Sequence, residues 1–133
     1  MIRHSTMTLP ISNPAVAAAV RDPLTKSVLE LLRRFTRSAT PSEIGKVGGI
    51  EFRALRRSLD LLEEAGLIGR RPAEGARREP SFHALGDAFI ITFDAADKAQ
   101  VALVEEIDGV MADHARARIR EALTGSLSSV HPV

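Results

Sequence analysis

Residues 40–71, TPSEIGKVGGIEFRALRRSLDLLEEAGLIGRR, leave the chain few ways to fold. Thr40-Pro41-Ser42-Glu43 is a capping box, in which the threonine hydroxyl accepts from the backbone at Glu43 and the glutamate reaches back. Pro41 takes the first helical position, where a missing N–H is harmless. The helix is short, with Ile44 and Val47 inward, because Gly48-Gly49 ends it. A second helix follows that tight turn. Phe52, Leu55, Leu59 and Leu62 recur at intervals of three and four, which stacks them on one inward face. Gly66 then supplies the left-handed backbone that closes a helix C-terminus.

The flanks complete a recognisable order. Asn13-Pro14 ahead of AVAAAV reads as an N-cap, a proline at N1 and a short helix, and Asp22-Pro23 repeats the signal. Leu24, Val28, Leu31, Leu32 and Phe35 make residues 23–36 amphipathic. Downstream, residues 67–71 and 81–85 read as the strands of a hairpin around the turn-rich PAEGARREP. Residues 88–94, AFIITFD, alternate Phe89, Ile91 and Phe93 on one face of a further strand. Residues 95–123 are helical, anchored by Leu103, Ile107, Val110, Met111, Ile119 and Leu123, with Gly109 a weak point.

The expected fold is therefore mainly α with a small β wing (α+β). A winged helix-turn-helix spans residues 13–85, and residues 86–123 add a strand and a C-terminal dimerisation helix. Residues 1–12 and 124–133 are expected to be flexible.

Composition agrees with packed helices. The 133 residues are 44% apolar and 26% charged, with 4% aromatics and no Trp or Tyr, so the core is aliphatic. Cysteine is absent, which excludes disulfides, thiolate metal sites and a cysteine nucleophile. No apolar run reaches the roughly 20 residues of a membrane span, and the N-terminus lacks the apolar segment of a secretion signal, so a cytoplasmic location is expected. The net charge of +1 hides a split: Arg33 to Glu79 holds eleven Lys/Arg against seven Asp/Glu, and residues 84–133 hold four against eight. A basic middle is where a polyanion would bind.

In the second helix, residues 50–65, the positive charge is concentrated in the first half. Arg53 and Arg57 lie nearly opposite the apolar stripe and Arg56 flanks it, whereas Asp60, Glu63 and Glu64 fall in the second half. A helix that enters the major groove of DNA by its N-terminal half needs that split. The positive end of its dipole would point the same way. Over the wing, residues 67–85, Arg77 and Arg78 near the tip and Arg70 and Arg71 at the base supply a second set of contacts to phosphates or the minor groove.

These same segments carry a resemblance. AVRDPLTKSVLELLRRF resembles the opening helices of ArsR-type winged helix-turn-helix transcriptional regulators, and RRSLDLLEEAGLIGRR resembles their recognition helix and first wing strand, over roughly residues 13–85. Leu59, Leu62 and Ala65-Gly66-Leu67 carry the pattern. The resemblance implies a homodimer that binds a pseudo-palindromic operator on double-stranded DNA and represses until an effector releases it. Two departures stand out. The paired cysteines of the family's metal sensors are absent, and Asp113-His114 has no second histidine nearby, so no metal and no cofactor is expected. The chain also continues past the wing, resembling longer regulators whose C-terminal part pairs subunits and, in some members, binds organic effectors.

Blander readings stand beside these. Arg56 or Arg57 with Asp60 would make helix ion pairs worth only about 0.2–0.5 kcal/mol, and the wing arginines would sit on an ordinary exposed loop. Phe89, Ile91 and Phe93 pack a dimer core or line an effector pocket. GKVGG at residues 45–49 lacks the spacing of a phosphate-binding loop, and no catalytic set assembles, so an enzyme is not expected. The alternative function is a winged-helix module for protein–protein interaction or dimerisation without DNA binding, which has no use for clustered arginines.

Overall fold

The computed structural model describes residues 6–75 and 78–129, with side chains as far as residue 117. Its elements are β1 (Thr6–Pro10), α1 (Pro14–Arg21), α2 (Pro23–Arg34), α3 (Pro41–Gly48), α4 (Phe52–Glu64), β2 (Ile68–Arg71), β3 (Ser81–Ala84), β4 (Ala88–Thr92) and α5 (Lys98–Ser129). Three of the helix starts follow directly from local chemistry. Asn13 accepts from the Ala15 amide, and Pro14, Pro23 and Pro41 open their helices. The capping box has both halves, with Thr40 Oγ1 accepting from the Glu43 amide at 3.2 Å and Glu43 Oε1 accepting from the Thr40 amide at 3.1 Å. Gly49 at φ 62° and Gly66 at φ 77° hold the left-handed turns after α3 and α4, where a side chain would be strained.

The main core joins α1, α2, α3, α4 and the wing through Val16, Val28, Leu32, Ile44, Leu55, Leu59, Leu62, Leu67 and Phe82. Within it lies a polar pin. The fully buried Thr25 hydroxyl donates to Asp22 Oδ2 at 2.7 Å and shares a 3.1 Å hydrogen bond with the Ser58 hydroxyl, which ties α4 to α2 at a fixed rotation. β2 and β3 pair antiparallel from Ile68↔Ala84 to Arg71↔Ser81, and Ala39 bridges Phe82 with two 2.8 Å bonds. The wing is thus stitched to the segment between α2 and α3.

Four expectations change. Residues 6–12 are not a flexible lead-in: β1 runs parallel to β4 from Thr6↔Ala88 to Pro10↔Thr92, with Leu9 and Ile11 buried. Period-two apolar residues at Met7, Leu9 and Ile11 drive this, and Pro10 is tolerated because β1 is an edge strand. At the other end α5 continues past residue 123 to Ser129, without a break at Gly109. Ile119 and Leu123, expected as anchors, have side chains outside the described residues. Val47 and Phe52, expected inward, are 64% and 58% exposed, because Ile44 and Leu55 fill the space between α3 and α4.

A second, smaller cluster of Ile11, Ala17 and Ile107, with Leu103, Val104 and Met111 against it, seats the first half of α5 on β1 and α1. Arg21 reinforces the contact through a 2.7 Å ion pair with Glu106.

Candidate nucleic-acid interface

α4 presents its arginines as a consequence of how its inner face is fixed. Leu55, Ser58, Leu59 and Leu62 are buried. At about 100° per residue, Arg53 and Arg57 emerge on the opposite side and Arg56 on the flank, and all three are exposed. Among the described residues none forms an ion pair or hydrogen bond with these guanidinium groups. The helix pairs with Asp60 do not form. Three uncommitted cations on one helix end are available to an anion.

The N-terminus of α4 differs from expectation. Its N-cap is Glu51, whose Oε1 accepts from the Arg53 amide at 3.0 Å and whose Oε2 accepts from the Ala54 amide at 3.1 Å. The positive end of the helix dipole is therefore matched within the chain rather than left for a phosphate. The signal was local, a glutamate just ahead of the first apolar residue, but Glu is an uncommon N-cap.

The wing arginines divide by role. Arg70 is held by the protein itself: its Nε and Nη2 donate to Glu63 at 3.0 and 2.8 Å, and its guanidinium lies 5.2 Å from the Phe82 ring centroid. Grouped by sequence with the DNA-facing residues, Arg70 instead braces β2 against α4, with Glu63 as its anchor. Arg71 and Arg78 are exposed and carry no partner among the described residues. Arg77 lies outside the described residues. The returning arm of the wing is fixed to the helix-turn-helix by Ser42 donating to Glu79 at 2.8 Å and by a 3.1 Å hydrogen bond between Ser81 and Ser38.

Two cavities bear on function. The larger, 760 Å³, lies between the end of α2 and β3 and is basic, lined by Arg33, Arg34, Arg37, Arg71 and His83. Arg33 donates to the Asp87 carbonyl and Arg37 pairs with Glu43 at 3.4 Å, which leaves Arg34 and Arg71 uncommitted there. Arg33 and Arg34 ride on a helix whose apolar face marks it as core, and Arg37 follows just past its end, so their sequence context does not single them out as a site. The second, 280 Å³, is more apolar and lies between the main core and α5, bounded by Leu62, Leu67, Phe89, Ile91, Ile107 and Met111. Phe93, expected beside Phe89 and Ile91, is 47% exposed. Among the described residues no group of three or more His, Cys, Asp or Glu could hold a metal ion, and no helix is long and apolar enough to cross a membrane.

No family model and no curated protein matches the chain. Solved structures do. The chain is similar to a mutant MarR from E. coli complexed with operator DNA, at 18% identity over 89% of this chain and 84% of that one, with a TM-score of 0.47. It is also similar to the S. aureus MepR–DNA complex, at 16% identity over 90% and 89%, TM-score 0.45. A MarR-family regulator from Rhodococcus sp. RHA1 matches at 19% identity over 89% and 79%, TM-score 0.46. The likeness is one of fold. The winged helix-turn-helix itself is established by α3, the Gly49 turn, α4 and the β2–β3 hairpin.

Proposed function

We propose that the chain is a sequence-specific DNA-binding transcriptional regulator, acting as a repressor and binding operator DNA as a homodimer. The observation that carries this is the set of three guanidinium groups, Arg53, Arg56 and Arg57, with no partner among the described residues, on the leading half of a helix whose inner face is locked by Leu55, Ser58, Leu59 and Leu62. Such a helix end reads base edges in the major groove, while Arg71, Arg77 and Arg78 add phosphate contacts from the wing. Arg70 supports them by holding β2 in place. The Leu59, Leu62, Ala65-Gly66-Leu67 pattern recurs in ArsR-type regulators but marks winged-helix regulators in general better than any one subgroup.

The C-terminal region supports pairing of subunits. α5 spans about 48 Å at 1.5 Å per residue, and the described contacts with the body engage its first half, through Leu103, Val104, Ile107 and Met111. A second copy meeting the rest of the helix would pair the subunits. The 280 Å³ cavity between that helix and the Leu62 end of α4 is the place for an organic effector that would release the operator.

The test is a titration of the full chain against duplex from the upstream region of its own gene, at several salt concentrations. Tight binding that weakens with a log–log slope of about −0.9 per phosphate contacted is expected. A folded dimer that binds no duplex in a salt-dependent way would overturn the proposal.

A further inference from the structure

We propose that Phe52 is a specificity-determining residue of this surface, packing its ring on thymine methyl groups beside the positions that Arg53, Arg56 and Arg57 engage. The inference rests on the DNA-binding function above and specifies one element of the sequence it reads. Phe52 is 58% exposed at the first position of α4, although burying such a side chain stabilises a fold by about 1.5–3 kcal/mol. Leu55, Leu59 and Leu62 already fill the inner face, and Phe52 lies at its rim, about 40° from Arg56 and 100° from Arg53 around the helix. Val47, 64% exposed at the end of α3, adds a second apolar side chain on the other arm of the same turn.

The occupant follows from what surrounds the ring. An apolar group bordering three arginines that have no partner among the described residues suits a surface that is anionic yet offers apolar atoms. A protein hydrophobic patch does not match that charge. The major groove does: its walls are phosphates, and its floor carries the thymine C5-methyl as the apolar feature of the base edges. N-terminal residues of a recognition helix are those that reach base edges. The Glu51 cap starts α4 at Phe52 and so fixes where the ring projects. Arginine discriminates guanine there and an aromatic ring discriminates thymine from cytosine, so the half-site should hold a thymine next to the arginine-read pair.

Duplexes selected by the full chain from a randomised pool provide the probe, with each thymine then replaced singly by deoxyuridine, which removes only the methyl. Binding by the unaltered chain should weaken about four-fold at a thymine of each half-site, the ~0.8 kcal/mol of one buried methyl-sized group at ~1.4 kcal/mol per tenfold. Phe52→Ala should bind the thymine and uracil duplexes equally, with an unchanged melting temperature, and Phe52→Leu should keep part of the discrimination. Undiminished methyl discrimination by Phe52→Ala would overturn the proposal. So would conversion of that variant to a monomer, which would assign the ring to a subunit contact. If the unaltered chain selects no duplex at all, the DNA-binding function fails, and the ring's assignment falls with it. That result is distinguishable because it precedes any variant.

Discussion

Glu51 stabilises the recognition helix while placing a negative charge at the end proposed to face DNA, so its removal should move stability and affinity in opposite directions. Its carboxylate accepts from the Arg53 and Ala54 amides at 3.0 and 3.1 Å. In Glu51→Ala both donors lose their partner. Loss of an N-cap side chain costs about 1 kcal/mol, within a range of roughly 0.5–2. For a chain of 133 residues this corresponds to a fall of about 3–5 °C in melting temperature. The same change exposes two amides that point along the helix axis, where anions bind.

A charge at a helix terminus is worth about 0.3–1 kcal/mol. Removing a repulsive one from each half-site of a dimer should tighten operator binding by about three- to thirty-fold. If the freed amides take up a phosphate, the salt slope should also steepen by up to about 0.9 per contact. Thermal unfolding gives the first quantity and fluorescence anisotropy at several salt concentrations the second. Glu51→Gln, which keeps an amide oxygen as acceptor and drops the charge, should show most of the affinity gain with a smaller melting loss. If Glu51→Ala binds more weakly at every salt concentration while remaining folded, the N-terminus of α4 does not approach DNA, and the orientation proposed for Arg53 and Arg57 is wrong.

Other perturbations separate reading, bracing and pairing. Arg57→Ala should weaken specific binding by about 1–3 kcal/mol if it reads a guanine; an equal loss on every duplex, in competition assays, would reassign it to phosphate. Arg70→Ala should lower the melting temperature and leave the salt slope closer to that of the parent than Arg71→Ala does, because Arg70 is spent on Glu63 and Phe82. Thr25→Val should destabilise more than Ser58→Ala in chemical denaturation, about 1–3 against about 0.5–1.5 kcal/mol, since the first strands a buried hydroxyl and the second leaves Thr25 bonded to Asp22. Val110→Asp, on the exposed side of α5, should shift sedimentation toward monomer; an unchanged dimer would place the interface elsewhere.

What could be read from the sequence was what is decided locally. The capping box at Thr40, the proline-led helices, the Gly66 closure and the hairpin each depend on residues within a few positions of one another, and each is where its chemistry puts it. Longer-range decisions were hidden. β1 pairs with a strand 82 positions away, Thr6 with Ala88, and nothing in the alternation of Met7, Leu9 and Ile11 names that partner. Phe52 and Val47 obey helical periodicity and still face outward, because a stripe shows which side is apolar but not where its edge falls against a neighbouring helix. The arginines show the same limit. Their clustering is visible in sequence, but that Arg70 is bonded within the fold depends on Glu63 standing seven residues before it across a turn, whereas Arg53, Arg56 and Arg57 have no partner among the described residues.

β1 also bears on how a C-terminal event could reach the side proposed to face DNA. Leu9 belongs to the main core with Leu62 and Leu67, whereas Ile11, two residues on, belongs to the cluster under α5 with Ile107. One strand therefore spans both packing units, and Val20 packs against both clusters as well. The 280 Å³ cavity lies along this seam and is bounded by residues from both sides. Close-packed cores transmit displacement rather than absorb it, so a molecule that pushed Ile107 away from β1 would act on Leu9 and, through it, on the end of α4 that carries Leu62. The polar pin between Thr25 and Ser58 resists rotation of α4 about its own axis, which leaves tilt of the helix, pivoting on that pin, as the motion such a push would favour. Tilt changes how far Arg53 and Phe52 extend, since both lie before Ser58 while Leu62 lies after it. A lever of that kind would place effector sensitivity in the N-terminal half of α4, where the side chains proposed to read bases are.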